Sequence, residues 1–195
     1  SKNRQQYHDI QFGGHTKAGV TCNTCHDTHS TQKGYAQLRT GKNALCGQCH
    51  KASAAMYQDS VMAKSGVGCA DCHMARIANR SGATQKNKDH WDTSSHTFAV
   101  VLPQKANELK MKSSCDACHG ESDKIAKGAA LTQGQNGIST KISEAEAAIS
   151  ASGKGKKATK AKALLMQVKD DHSLGAHNPQ KALALLNEAL KIVAK

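Results

Sequence analysis

The sequence Cys-x-x-Cys-His occurs four times, and it constrains this chain more than any other feature. The four copies use all eight cysteines, so none is left over. This spacing is typical of sites where two thiols form thioether bonds to haem c and the next histidine binds the iron. We therefore predict four covalent c-type haems, numbered 1 to 4 in chain order: Cys22, Cys25 and His26; Cys46, Cys49 and His50; Cys69, Cys72 and His73; Cys115, Cys118 and His119.

Paired cysteines also occur in zinc sites and in disulfide scaffolds. The first two pairs have about the spacing of a zinc ribbon, but a ribbon does not require a histidine directly after each pair. A disulfide scaffold would not favour four identical segments that each end in histidine either. Haem attachment accounts for the cysteines and the histidines together.

The low aromatic content indicates what kind of fold the haems support. The chain has one Trp, three Tyr and two Phe, which is little material for a conventional core. Haem macrocycles are large, flat and apolar, and side chains can pack around them. We therefore expect a mostly α fold with extensive coil, organised around the haems, in which folding is coupled to cofactor binding.

The net charge of +12 does not indicate a nucleic-acid partner. Four haems bring about eight propionate charges, so many of the basic side chains can neutralise propionates. Aromatic side chains that could stack on bases are also scarce. We expect no nucleic-acid binding.

Export is the expectation for the location of the protein. No apolar run approaches the ~18–20 residues of a membrane span. Haem c is attached on the exported side of the bacterial membrane, so we expect that a signal peptide has been removed. The expected location is extracellular or on the outer cell surface, with the periplasm as the alternative.

The composition changes near residue 128. We expect a tetrahaem-binding region at 1–128 and a C-terminal helical segment at 129–195 that contributes a haem ligand. The segment is predicted to contain a loop at 129–139, a helix from about 142, a break at 152–157, and helices at about 158–171 and 179–194. The last helix carries an apolar stripe of Leu183, Leu186, Leu190 and Val193.

Seven histidines lie outside the four motifs. An electron-transfer haem needs a second axial ligand, usually histidine or methionine, so four of the seven suffice to close every iron. The candidates are His8, His15, His29, His90, His96, His172 and His177.

Two family resemblances narrow this choice. Residues 65–74 (SGVGCADCHM), 95–98 (SHTF), 115–119 (CDACH) and 177–179 (HNP) resemble the C-terminal part of pentahaem cytochrome c nitrite reductases. This resemblance implies that His177 is the distal ligand of haem 3 and that His96 serves haem 1 or haem 2. Residues 22–29, Cys-x-x-Cys-His-x-x-His, resemble periplasmic multihaem electron carriers, which implies that His29 also ligates a neighbouring haem.

The chain departs from the nitrite reductase pattern in one way that bears on catalysis. Those enzymes have a Cys-x-x-Cys-Lys site whose haem keeps a position open for substrate, and no such motif occurs here. Enough histidines are present to close every iron. We therefore predict electron transfer without enzymatic activity.

A second departure concerns haem 4. In the nitrite reductases a histidine seven residues before the penultimate motif ligates the final haem, and Met62 stands at that position here. The similar segment around haem 1 keeps this histidine, His15, although no motif precedes haem 1 in this sequence. We expect that His15 of one subunit ligates haem 4 of the next. Alternatively, Met62, His8, His90 or His172 is the ligand of haem 4.

A head-to-tail contact of this kind generates a filament if it does not close into a ring. In haem count and length the chain resembles the tetrahaem cytochromes that form extracellular nanowires in metal-reducing bacteria. We therefore predict long-range electron transfer by a polymeric cytochrome, with other redox proteins or extracellular acceptors as partners. The alternatives are a discrete periplasmic tetrahaem shuttle and a multihaem reductase of nitrogen or sulfur oxyanions.

Overall fold

The computed structural model describes residues 6–29, 35–77 and 94–194, and regular structure in these ranges is helical. By compactness the chain forms two units, Ser1–Leu45 with Gly68–Gly128, and Cys46–Val67 with Ala129–Lys195. The helices are α1 (Gln6–Phe12), α2 (Gly14–Lys17), α3 (Cys22–Cys25), α4 (Lys42–Gly47), α5 (Lys51–Tyr57), α6 (Val61–Lys64), α7 (Cys69–His73), α8 (Pro103–Glu108), α9 (Glu121–Ala151), α10 (Lys156–Lys169) and α11 (Pro179–Val193), with one 3₁₀ turn at Tyr35–Gln37.

The predicted fold class, mostly α with extensive coil, is confirmed. The β-type pairing in the described ranges is an isolated bridge between His26 and Leu38. No described helix is long and apolar enough to cross a membrane. The predicted domain division at residue 128 remains a prediction: one unit boundary follows Gly128, but Cys46–Val67, which includes the second motif, groups with Ala129–Lys195.

Each Cys-x-x-Cys-His segment folds as a single helical turn. The backbone N–H groups of His26, His50 and His119 donate to the carbonyl of the first cysteine of their motif at 2.9–3.0 Å. The third motif, Cys69–His73, forms α7. Residues three apart on a helical turn lie on one side of it, so the turn directs both thiols of a pair the same way.

The internal repeat around the first and third motifs is also a structural repeat. A four-residue helix precedes each motif, α2 in one case and α6 in the other. Two residues after the end of each helix lies a glycine with a left-handed backbone, at φ +76° for Gly19 and +81° for Gly66. The carbonyls of His15 and Met62 accept equivalent hydrogen bonds, from Val20 N–H at 2.9 Å and from Val67 N–H at 3.1 Å. His15 and Met62 therefore occupy the same position in two copies of one unit.

The predicted loop at 129–139 is wrong, because these residues lie inside the 31-residue helix α9. Ile138, Ile142 and Ala145 lie four and three residues apart on that helix, and all three are buried. They join a core with Leu165, Val168, Ala182, Leu186 and Met56. The segment 129–139 contains Gly134 and Gly137, and each glycine inside a helix costs about 1 kcal/mol. Burial of the apolar stripe outweighs this cost.

The remaining C-terminal helices agree with the predicted order. Helix α9 ends at Ala151, and α10 begins at Lys156. Helix α11 begins at Pro179, and the Asn178 side chain accepts a hydrogen bond from Lys181 N–H at 3.1 Å as its cap. The predicted apolar stripe is wrong at Leu183, which is 44% exposed, whereas Leu186 is fully buried. Ala182 faces the core instead, because it lies four residues before Leu186.

Candidate multihaem site

All eight cysteines lie in the described ranges, and none of them forms a disulfide bond, as thioether attachment to haem requires. Burial raises the pKa of the Cys72 thiol, and the thiols of the fourth motif, Cys115 and Cys118, raise it further. Burial also raises the pKa of Cys115 itself, with Asp116 as a second cause. The third and fourth motifs are therefore neighbours in the first unit. The described residues form no group of three or more His, Cys, Asp or Glu that could hold a metal ion.

Three of the motif histidines have Nδ1 in a hydrogen bond, so Nε2 is the ring nitrogen that can bind a metal. His26 Nδ1 lies 2.7 Å from the carbonyl oxygen of Ala36. His73 Nδ1 lies 3.0 Å from the carbonyl oxygen of Phe98. His119 Nδ1 lies 2.6 Å from Asp123 Oδ2. Metal-ligating histidines nearly always donate their second ring N–H in this way, because the bond sets the tautomer and the ring orientation.

The carbonyls that hold His26 and His73 belong to residues that the sequence analysis did not predict. Ala36 and Phe98 both have a left-handed backbone, with φ of +56° and +57°. This conformation costs a residue other than glycine roughly 1–2 kcal/mol. No sequence signal marks either position, since the residue types are ordinary and only the backbone geometry aims the carbonyl at the histidine.

The ring centroids of His26 and His96 are separated by a distance that suits one iron. Their centroids lie 6.4 Å apart and their planes are inclined by 27°. A metal–imidazole bond is about 2.0–2.1 Å, and a ring nitrogen lies about 1.1 Å from the ring centre for bonds of about 1.33 Å. Two imidazoles on opposite sides of one metal therefore have centroids about 6.2–6.4 Å apart. The Nδ1 atom of His96 is held by Ser94 O at 3.0 Å, so both Nε2 atoms are available. These residues fit a haem with two histidine ligands.

Burial lowers the pKa of His96, and the nearby His26 lowers it further. A ligating histidine must be neutral at the nitrogen that binds the metal. The surroundings of His96 therefore favour the protonation state that ligation needs.

His177 is held by a carboxylate in the second unit. Its Nδ1 lies 2.5 Å from Asp171 Oδ1. The ring of Tyr57 meets His177 edge-on, with centroids 5.9 Å apart, and the Tyr57 hydroxyl donates to Val67 O at 2.7 Å. The ring of His177 is half-buried and fixed from two sides.

The other candidate ligands lie in varied surroundings. His15 packs on the ring of Phe98 with centroids 4.2 Å apart. His29 is exposed in a turn, where its N–H donates to Asp27 Oδ1 at 3.1 Å. His8 and His172 are exposed, as is Met62, whereas His90 lies outside the described residues.

The sequence analysis did not predict Asp123 and Asp171, which hold the Nδ1 atoms of His119 and His177. Asp123 lies four residues after His119 in the first turn of α9, and this spacing is a usable signal on a helix. Asp171 lies six residues before His177 and meets it through a turn, so no periodic pattern indicates the contact.

A multihaem c-type cytochrome requires histidines whose Nδ1 is already bonded, each next to a turn with two unbridged thiols. The chain has this arrangement and is a protein of this class. Residues 15–55 match the doubled Cys-x-x-Cys-His motif. Over residues 52–195 the sequence matches the cytochrome c552 family, and the chain belongs to that family. The sequence prediction of a multihaem cytochrome that binds haem c is thereby confirmed. No protein with a curated description matches the sequence.

Solved structures of multihaem proteins share the fold. The outer cell wall cytochrome OcwA has a TM-score of 0.75 and 23% identity, and the match covers 99% of this chain and 51% of OcwA. An undecaheme cytochrome from the S-layer of Carboxydothermus ferrireducens has a TM-score of 0.63 and 18% identity, covering 90% of this chain and 31% of that one. The octaheme sulfite reductase MccA of Wolinella succinogenes has a TM-score of 0.58 and 16% identity, covering 95% and 42%. The chain thus spans about half or less of these proteins, and the similarity concerns the fold.

Proposed function

We propose that this protein carries electrons over long distances through four c-type haems with two histidine ligands each, as the subunit of an extracellular cytochrome filament. The observation that carries the proposal is the pair His26 and His96, with centroids 6.4 Å apart and both Nδ1 atoms held by carbonyls. An iron between two such ligands has no open position for a substrate. The proposed function is therefore electron transfer without substrate chemistry.

The proposal assigns one distal ligand to each haem. His96 serves haem 1, since its ring centroid lies 6.4 Å from that of His26, and this leaves His29 for haem 2. His177 serves haem 3, as the resemblance to the nitrite reductases implies, and its bond to Asp171 is typical of a ligating histidine. Haem 4 takes His15 from a neighbouring subunit.

The filament part of the proposal is supported by the equivalence of His15 and Met62. Both follow the start of a four-residue helix, and both lie seven residues before the first cysteine of a motif. One copy of the unit therefore has a surplus histidine where the other lacks one. A contact that joins the surplus to the deficit is heterologous, and repetition of such a contact gives a filament.

Two proteins with the same fold support an extracellular location, because one is an outer cell wall cytochrome and the other is a cytochrome from an S-layer. The sulfite reductase with the same fold favours the alternative of a multihaem reductase. Spectroscopy separates the two functions: a reductase has a five-coordinate, high-spin haem, whereas a conductor has six-coordinate, low-spin haems throughout.

Electron microscopy and absorption spectroscopy of the haem-loaded protein test the proposal. We expect filaments with low-spin haems from the unaltered protein. His15→Ala should abolish filaments and leave one haem per chain high-spin, whereas the control His8→Ala should change neither property. Met62→His should supply haem 4 with a ligand from its own chain, and we expect discrete low-spin particles.

Two results would contradict the filament. One is discrete particles from the unaltered protein, which would favour a periplasmic shuttle. The other is His15→Ala protein that still assembles with all haems low-spin.

A further inference from the structure

Asp171 is a buried carboxylate that no Lys or Arg among the described residues pairs with. Its side chain is fully buried, and its salt-bridge partner is His177. Oδ1 lies 2.5 Å from His177 Nδ1, and the Ser173 hydroxyl donates to Oδ2. A buried carboxylate without a positive partner costs several kcal/mol. Positive charge on the ring of His177, or on a metal that the ring binds, offsets this cost.

A ferric haem iron bound to the Nε2 atom of His177 would supply such a charge. Coordination would polarise the ring and make Nδ1–H, which faces Asp171, more positive. Reduction adds one electron to the iron and weakens this attraction, because the positive charge is smaller. A buried carboxylate thus favours the oxidised state more than a neutral acceptor does, since the effective dielectric constant is low there.

The other histidines with a described Nδ1 partner provide an internal comparison. His26, His73 and His96 are held by neutral backbone carbonyls. His119 is held by a carboxylate, but Asp123 is 50% exposed and lies 3.9 Å from Lys127 Nζ. Water and a neighbouring ammonium group both weaken the field of Asp123. Among these ligands, the field at His177 is the strongest.

We propose that Asp171 is a positioning residue that lowers the reduction potential of the haem that His177 ligates. The same bond orients the ring so that Nε2 can bind the iron. The haem on His177 then accepts an electron later than the haem of His26 and His96, whose ligands are both held by carbonyls. The inference rests on the proposed function, because it requires that His177 binds a haem.

Spectroelectrochemistry of the haem-loaded Asp171→Asn variant tests the inference. Asn keeps the shape and an oxygen acceptor but removes the charge. We expect one haem to favour reduction at least tenfold more at a fixed potential, an upward shift of about 59 mV for one electron. The control Asp123→Asn should shift a different haem, and by less. Unchanged potentials in Asp171→Asn, with all haems low-spin, would overturn the inference.

Two further variants keep the test decisive. Ser173→Ala removes the hydroxyl that donates to Asp171, so the reduction potential of the haem on His177 should shift downward. If Asp171→Asn yields no protein, the absence of this downward shift refutes the inference. His177→Ala tests the underlying ligand assignment separately. A new high-spin haem in that variant supports ligation by His177, whereas fully low-spin spectra would refute both the assignment and the inference.

Discussion

The replacement of His96 by glycine is the sharpest test of how the first haem is held. The ring centroids of His96 and His26 are 6.4 Å apart, and Nδ1 of His96 is bonded to Ser94 O at 3.0 Å. Removal of the ring leaves a space of one imidazole on the distal side of one iron. With four motifs in the chain, we expect a quarter of the haem to become five-coordinate and high-spin in the ferrous protein.

Added imidazole makes the magnitude of this prediction testable. The free ligand should enter the space left by His96 and return the high-spin quarter to the low-spin state, as followed by absorption spectra of the ferrous protein. His8→Gly is the matched control, because His8 is exposed and packs edge-on to Tyr7 with centroids 5.6 Å apart. If His96→Gly protein remains entirely low-spin without imidazole, the assignment of His96 to haem 1 is wrong.

Two further predictions concern stability. Leu186→Ala should lower the free energy of unfolding by about 2–5 kcal/mol because Leu186 is fully buried in the core. Leu183→Ala, on the exposed side of α11, should change it by less than about 0.5 kcal/mol. Urea denaturation of the two haem-loaded variants, followed by circular dichroism, measures the difference. Burial alone would raise the pKa of Asp116, but hydrogen bonds from Lys124 and Ser113 lower it overall. The Asp116 carboxylate therefore stabilises the folded state above its unfolded pKa of about 3.9, and this contribution is lost as the pH falls through the lower folded pKa. Thermal unfolding of Asp116→Asn should accordingly show a weaker loss of stability below about pH 4 than the unaltered protein, and an identical acid profile would contradict this role.

The sequence by itself determined the features that depend on spacings of a few residues. Cys-x-x-Cys-His forms one helical turn with both thiols on one side, because residues three apart face the same way on a helix. The equivalence of His15 and Met62 also follows from a repeated local segment, and the start of α11 at Pro179 follows from the preference of proline for the first helical position.

Only the tertiary structure decided which distant groups meet. His26 and His96 are 70 residues apart in the chain, so no periodicity could pair them. The contact of Asp171 with His177 and the carbonyl of Phe98 on His73 depend on turns with left-handed backbone angles. These angles are at Phe98 and, between Asp171 and His177, at His172, Leu174 and Gly175. The loop predicted at 129–139 became part of α9 for the same reason: local composition disfavours a helix, and burial of a stripe against α10 and α11 reverses that preference.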